Sequence, residues 1–90
     1  MEQNNMKVNF KSFRLYLNVS RKEYKDVDAR EAIADIVYQN SSGIAGLELA
    51  QKIYNSEGEI DLSEREVQML KSLYPVCKPI FIESLNEILK

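Results

Sequence analysis

From Val8 to Ser20 apolar and polar residues alternate along the chain. Val8 and Phe10 face one way and, after a slip at Lys11-Ser12, so do Phe13, Leu15, Leu17 and Val19, with Arg14, Tyr16, Asn18 and Ser20 on the reverse side. Period two in a run rich in aromatic and branched residues predicts a half-buried strand over 8–20, and the slip predicts a bulge or bend. A strand needs a partner. Two are open to it: the short run Glu59-Ile60-Asp61-Leu62, or the same strand of a second copy, which would make a homodimer.

Beyond a polar link over 20–27 the rhythm becomes helical. Asp28, with Glu31 three residues on, predicts a capping box and a helix over 28–40, its apolar stripe formed by Ala29, Ala32, Ile33, Ile36 and Val37. Asn40-Ser41-Ser42-Gly43 stops it. A second helix over 44–54 is expected to turn Ile44, Leu47, Ala50, Ile53 and Tyr54 inward. Gly46 costs that helix about 1 kcal/mol against alanine, or else lets another backbone come close. Ser63 and Glu66 spell a second capping box, flanked by Leu62 and Val67 as a hydrophobic staple, and open a helix over 64–74 that ends at Pro75. Its inward residues are Val67, Leu70, Leu73 and Tyr74. Pro79 suits the first turn of a fourth helix over 79–89, which buries Phe81, Ile82, Leu85, Ile88 and Leu89. The polar residues 1–6 are expected to be disordered.

The predicted fold class is therefore mainly α: one domain over 1–90, with four helices in a small bundle and one N-terminal strand that pairs with 59–62 or with another molecule. One internal echo stands out. Val37-Tyr38-Gln39-Asn40-Ser41-Ser42-Gly43 resembles Ile53-Tyr54-Asn55-Ser56-Glu57-Gly58 with one residue removed, which reads as two helices ending by the same chemistry, with a left-handed glycine after each.

Composition narrows the function. Ninety residues bury only about 60–65% of the surface of the unfolded chain, which leaves little room for both a core and a deep substrate pocket. The single cysteine, Cys77, has no internal disulfide partner and suits a reducing compartment. No apolar run reaches the ~18 residues of a membrane span, and the opening MEQNNMKVNF lacks a hydrophobic signal region, so the expected location is cytoplasmic, away from membranes. Charge is unevenly placed: residues 1–25 hold six basic and two acidic side chains, residues 26–90 six basic and twelve acidic. Either the two parts attract one another within the fold, or a basic strip meets an anionic partner.

Catalytic chemistry finds few residues to work with. The chain has no histidine, which removes most nucleophile–base triads and most zinc sites, and there is no glycine-rich phosphate loop. Cys77 lies between Pro75 and Pro79 and reads as a packed structural thiol, although Lys78 beside it would favour a thiolate. The expectation is a protein that is not an enzyme and needs no cofactor.

For a metal, the stretch YNSEGEIDLSEREV offers Asn55, Glu57, Asp61 and Glu64 at the spacing of a calcium loop. The first ligand position falls on Ile53, however, and Glu64 is equally a first-turn carboxylate favoured by the helix dipole, so a plain joint between two helices is the preferred reading. For nucleic acid, Lys7, Lys11, Arg14, Arg21 and Lys22 could meet phosphates, and SGIAGLELAQKI resembles the first helix of a helix-turn-helix. The helix that would enter the groove begins Ser63-Glu64-Arg65-Glu66, a poor set to place beside phosphates. A protein interface suits the chain better: five tyrosines, an unpaired strand whose polar side shows Arg14, Tyr16 and Asn18, and the charge asymmetry. The expected function is a non-enzymatic interaction module with an unidentified protein partner; a nucleic-acid-binding regulator is the alternative.

Two resemblances accompany this reading. The joint over 55–66 is similar to those of EF-hand and tellurite-resistance TerB-like helical proteins. Through LYLNVSR, DVDAREAIADIVYQN, GIAGLELAQKIYNSEG and KPIFIESLNEIL the chain resembles small uncharacterised helical proteins of bacterial prophages and other mobile elements. The latter resemblance implies an accessory or assembly role and carries no catalytic residue with it.

Overall fold

The computed structural model describes residues 6–89. The elements run β1 (Met6–Asn9), β2 (Phe13–Tyr16), β3 (Tyr24–Val27), α1 (Arg30–Asn40), α2 (Gly43–Tyr54), β4 (Glu59–Leu62), α3 (Glu64–Ser72), a 3-10 turn (Tyr74–Val76) and α4 (Pro79–Ile88). This corrects the expectation of a mainly helical bundle with one strand. The fold is an α/β mixture in which four helices accompany two separate antiparallel sheets of two strands each, β1 with β4 and β2 with β3. Of the expected disorder over 1–6, residues 1–5 lie outside the described residues, and Met6 opens β1.

The single long strand fails at the slip. Asn9 turns its side-chain oxygen onto the backbone N–H groups of Lys11 (3.0 Å) and Ser12 (3.1 Å), an Asx turn that breaks the strand and sends its two halves to different sheets. Phe10 and Phe13 are both buried on either side of the break, their rings 6.1 Å apart and nearly parallel. The Phe10 carbonyl, freed from any ladder, accepts the Ala29 N–H at 2.8 Å. The first half aligns Met6 with Leu62 and Val8 with Ile60; the second aligns Phe13 with Val27 and Tyr16 with Tyr24.

β3 occupies what sequence reads as a polar link. Only Val27 of its four residues is even half-buried, so it carries no apolar alternation. It is held by its cross-strand partners: Arg14 lies 3.5 Å from Asp26 and stacks over the Tyr24 ring at 3.9 Å, and Tyr24 meets Tyr16 edge-on. Residues 17–23 close this hairpin. Asn18 accepts from the Lys22 N–H and the Ser20 hydroxyl and donates to Glu23, while Arg21 takes a left-handed backbone (φ 60°). The Arg21 guanidinium covers the Tyr16 ring and reaches Glu83 (3.3 Å) and Glu87, which ties the hairpin to α4.

The predicted box at the start of α1 does not form. Asp28 accepts from the Arg30 backbone and side chain instead, and the helix starts two residues later behind Ala29. The box at α3 does form: Ser63 Oγ accepts the Glu66 N–H at 3.2 Å and Glu66 accepts the Ser63 N–H at 2.9 Å. Phe10, Phe13, Ile33, Val37, Leu49, Ile53, Leu62, Leu85 and Leu89 fill the core. In α4 the innermost residues are Ser84 and Leu85, joined by Leu89 at its C-cap, with Phe81, Ile82 and Ile88 only part-buried.

Candidate interaction surface on helices α1 and α2

Only Ser41 and Ser42 separate α1 from α2, and the two helices pack along one another. Gly46 makes the approach close: a Cβ there would lie 2.7 Å from the Ser41 Cβ and nearer still to its hydroxyl oxygen. Ser41 is fixed in that place, because its hydroxyl donates to the Val37 carbonyl at 2.5 Å.

With Gly46 against the turn, α2 buries Gly46, Leu49, Ala50 and Ile53. The expected inward stripe is thus rotated. Ile44, Leu47 and Tyr54 are 74, 42 and 56% exposed, and Tyr38 of α1 is 66% exposed. The helix is apolar on more than one face, so spacing alone leaves two stripes to choose from; the close seat at Gly46 selects one.

The stripe left outside forms a crease. Ala34, Asp35 and Tyr38 of α1 face Leu47, Ala50, Gln51 and Tyr54 of α2 across a cleft of about 230 Å³. Past Tyr54 a second hollow continues to Asp28, Arg30 and Glu31. The two helices contribute alike. Glu31, Ala34, Asp35, Tyr38 and Leu47, Ala50, Gln51, Tyr54 each stand at i, i+3, i+4 and i+7, one face of a helix. The nearly buried alanines form the floor and the tyrosines stand above it.

The echo seen at the helix ends is the tail of this longer match. Displaced by sixteen residues, Ala29, Ile33, Ala34, Asp35, Val37 and Tyr38 correspond to Ala45, Leu49, Ala50, Gln51, Ile53 and Tyr54. Most pairs share their environment: Ile33 and Leu49 are in the core, as are Val37 and Ile53, whereas both tyrosines are outside; Ala29 is buried and Ala45 only part-buried. The sixteen-residue offset is the signal by which the crease could have been found in sequence. The proposed left-handed glycine after each helix holds only in part, since Gly43 (φ 77°) adopts that backbone, opening α2, and Gly58 does not.

The crease is acidic at its rim. Asp35 lines it and Glu31 lines its continuation, and none of the ion pairs among the described residues involves either. The nearby cations are engaged. Arg30 holds Asp28 at 2.7 Å and donates to the Ser56 carbonyl at 2.6 Å; its hydrogen bonds to Asp28 keep that carboxyl below the ordinary carboxylate range. Lys52 bonds Glu66 at 3.0 Å.

The candidates named from sequence are placed elsewhere. Asn55 caps the end of α2, Glu57 lies 3.8 Å from Lys11, Asp61 faces Lys7 across the β1–β4 ladder and Glu64 opens α3. Among the described residues no three acidic, cysteine or histidine side chains come together as a metal site would need. Of the five basic residues, Lys11, Arg14 and Arg21 are paired with carboxylates of the same chain, leaving Lys7 and Lys22 outside the ion pairs found among the described residues. Arg14, Tyr16 and Asn18 do not form one open face: Arg14 holds Asp26, Asn18 holds the turn, and the Tyr16 ring lies between Arg21 and Tyr24. Tyr16 and Asn18 do line a shallow cleft with Leu17, Val19 and Ile80. Burial pushes the Cys77 thiol up, away from the reactive thiolate. Among the described residues no helix is long and apolar enough to cross a membrane.

Comparison with family models, with curated proteins and with solved structures finds no match to this chain.

Proposed function

We propose that this protein is a non-enzymatic interaction module that binds a protein partner through the α1–α2 crease. The observation that carries this reading is the exposure of Tyr38, Leu47 and Tyr54 around a floor of two alanines. Scattered exposed apolar residues are ordinary; a run of them ordered along two adjacent helices and rimmed by polar groups is the pattern of a docking surface.

Site-directed photo-crosslinking in the native host tests it. A photoreactive residue at position 47 should capture a discrete protein adduct, and one at the exposed Arg65 of α3 should not. Equal capture at both positions, or none at 47, would remove the crease from the binding surface.

A further inference from the structure

The rim of the crease carries an argument about what lies in it. A second copy docking with α1 against α1 would bring Glu31 and Asp35 of one molecule against their counterparts, with Arg30 already committed to Asp28, and docking with α1 against α2 would meet Lys52 already committed to Glu66. Like charges opposed at a rim oppose association, and opposite charges steer it. An acidic edge along the α1 side of an apolar trough therefore selects a partner that is apolar along one side and basic along the flank beside α1.

The shape selects the partner's conformation. Each wall is a helical stripe at i, i+3, i+4 and i+7, and the alanines at the middle of both walls let a third backbone come near. From Glu31 to Tyr38 the wall is about 10 Å long, and the continuing hollow beyond Tyr54 lengthens it, so about three turns of helix would fill it. An extended strand finds no free ladder here, since both walls are helices.

Resting on the reading of the crease as the binding surface, we infer that its occupant is a basic amphipathic helix of another protein, laid between α1 and α2 as a third helix. Large apolar side chains enter over Ala34 and Ala50 between the two tyrosines. Lysine or arginine on the flank beside α1 meets Glu31 and Asp35.

The test uses the whole chain and two synthetic helical peptides of about fourteen residues. They share leucines at i, i+3, i+4 and i+7 and differ in having all-lysine or all-glutamate flanks. Amide chemical shifts and fluorescence anisotropy are followed. The expected result is that the lysine peptide shifts residues along 31–54, binds at least about tenfold more tightly than the glutamate peptide, and weakens as salt rises from about 0.05 to about 0.5 M. Asp35→Lys should reduce that preference by about fivefold or more, and Leu47→Asp should abolish binding of both, with both variants keeping the wild-type circular dichroism. If the glutamate peptide binds 31–54 as well as the lysine one, the basic partner is wrong while the crease stands as an interface. Concentration-dependent shifts in the protein alone, confined to 31–54, would identify a second copy as the occupant and overturn the inference. No shift in the crease with either peptide or with concentration overturns both the inference and the crease itself.

Discussion

Gly46 is required by the turn that precedes it rather than by its own backbone angles, which are helical. Alanine gains up to about 1 kcal/mol of helix propensity but places a Cβ inside the Ser41 side chain, an overpacking cost of about 1–3 kcal/mol. Gly46→Ala is therefore expected to lower unfolding free energy by about 1–2 kcal/mol in urea titration. Ser41→Gly in the same chain should recover most of the loss, because it removes the atoms that clash; simple addition of the two single effects would show that the contact is not the cause.

Glu66 closes the α3 box and also receives Lys52. Burial works against its charge, but the Ser63 N–H and the Lys52 ammonium outweigh it and hold the carboxyl below the ordinary range. The sign follows from linkage. A carboxyl that is more acidic folded than unfolded adds stability above about pH 4.3, and that stability is lost as pH falls through the lower folded value. Glu66→Gln keeps a box acceptor and loses the charge, so the difference between wild type and variant should be present at neutral pH and shrink on acidification. A constant difference down the acid limb would place the effect in packing instead. Ser63→Ala, which leaves the Glu66 N–H without its acceptor, should cost about 1 kcal/mol at all pH values where the fold persists.

At the scale of elements, the helices announce themselves better than the strands. Ser63, Glu66, Leu62 and Val67 specify the start of α3 within a dozen residues, and Pro79 specifies α4, because caps and proline act locally. Asp28 and Glu31 have the same spacing, yet Arg30 captures the aspartate, a competition that spacing does not rank. The period-two run over 8–20 shows that strand is present and hides that it is two strands, since Phe10 and Phe13 are both buried and the break lies between them. The clue was Asn9, whose short side chain can bond the backbone two and three residues on. Asn9→Ala should cost about 1 kcal/mol and loosen hydrogen exchange at Lys11 and Ser12 of the turn before that of β1, whereas unchanged protection there would mean that the two phenylalanines alone set the break. β3 has no signal of its own, because a strand with exposed side chains is defined by its partner.

Leu47→Asp removes a side chain that is 42% exposed and places a poorer helix former in α2, so it should cost only about 1–2 kcal/mol in thermal or urea unfolding. A large loss would mean that Leu47 serves the core rather than a partner.

Over the whole molecule, the basic N-terminal part and the acidic remainder meet: Lys11 lies by Glu57, and Arg21 by Glu83 and Glu87. Much of the charge asymmetry is thus consumed inside the fold. With β1 and β2 each paired within the chain and the crease rimmed by carboxylates, sedimentation of the isolated protein is expected to give a monomer mass independent of concentration. A mass that rises with concentration would restore the second copy as a partner of strand or crease.

By itself the sequence determined the number and approximate limits of the helices, the α3 cap, the presence of strand near the start and a further strand-like run at 59–62. It also carried, as two matching helix ends, part of the repeat that builds the crease. These are short-range matters, settled by hydrogen bonds and periodicity within a few turns. Only the tertiary structure decided that the fold is an α/β mixture with two sheets, which of the two apolar faces of α2 is buried, and which cations are already paired. Each of those depends on a contact between residues distant along the chain or across a turn: β1 with β4, Arg21 with Glu83 and Glu87, and Gly46 with Ser41. A helix apolar on two sides leaves the choice to its neighbour, and the side not chosen stays exposed.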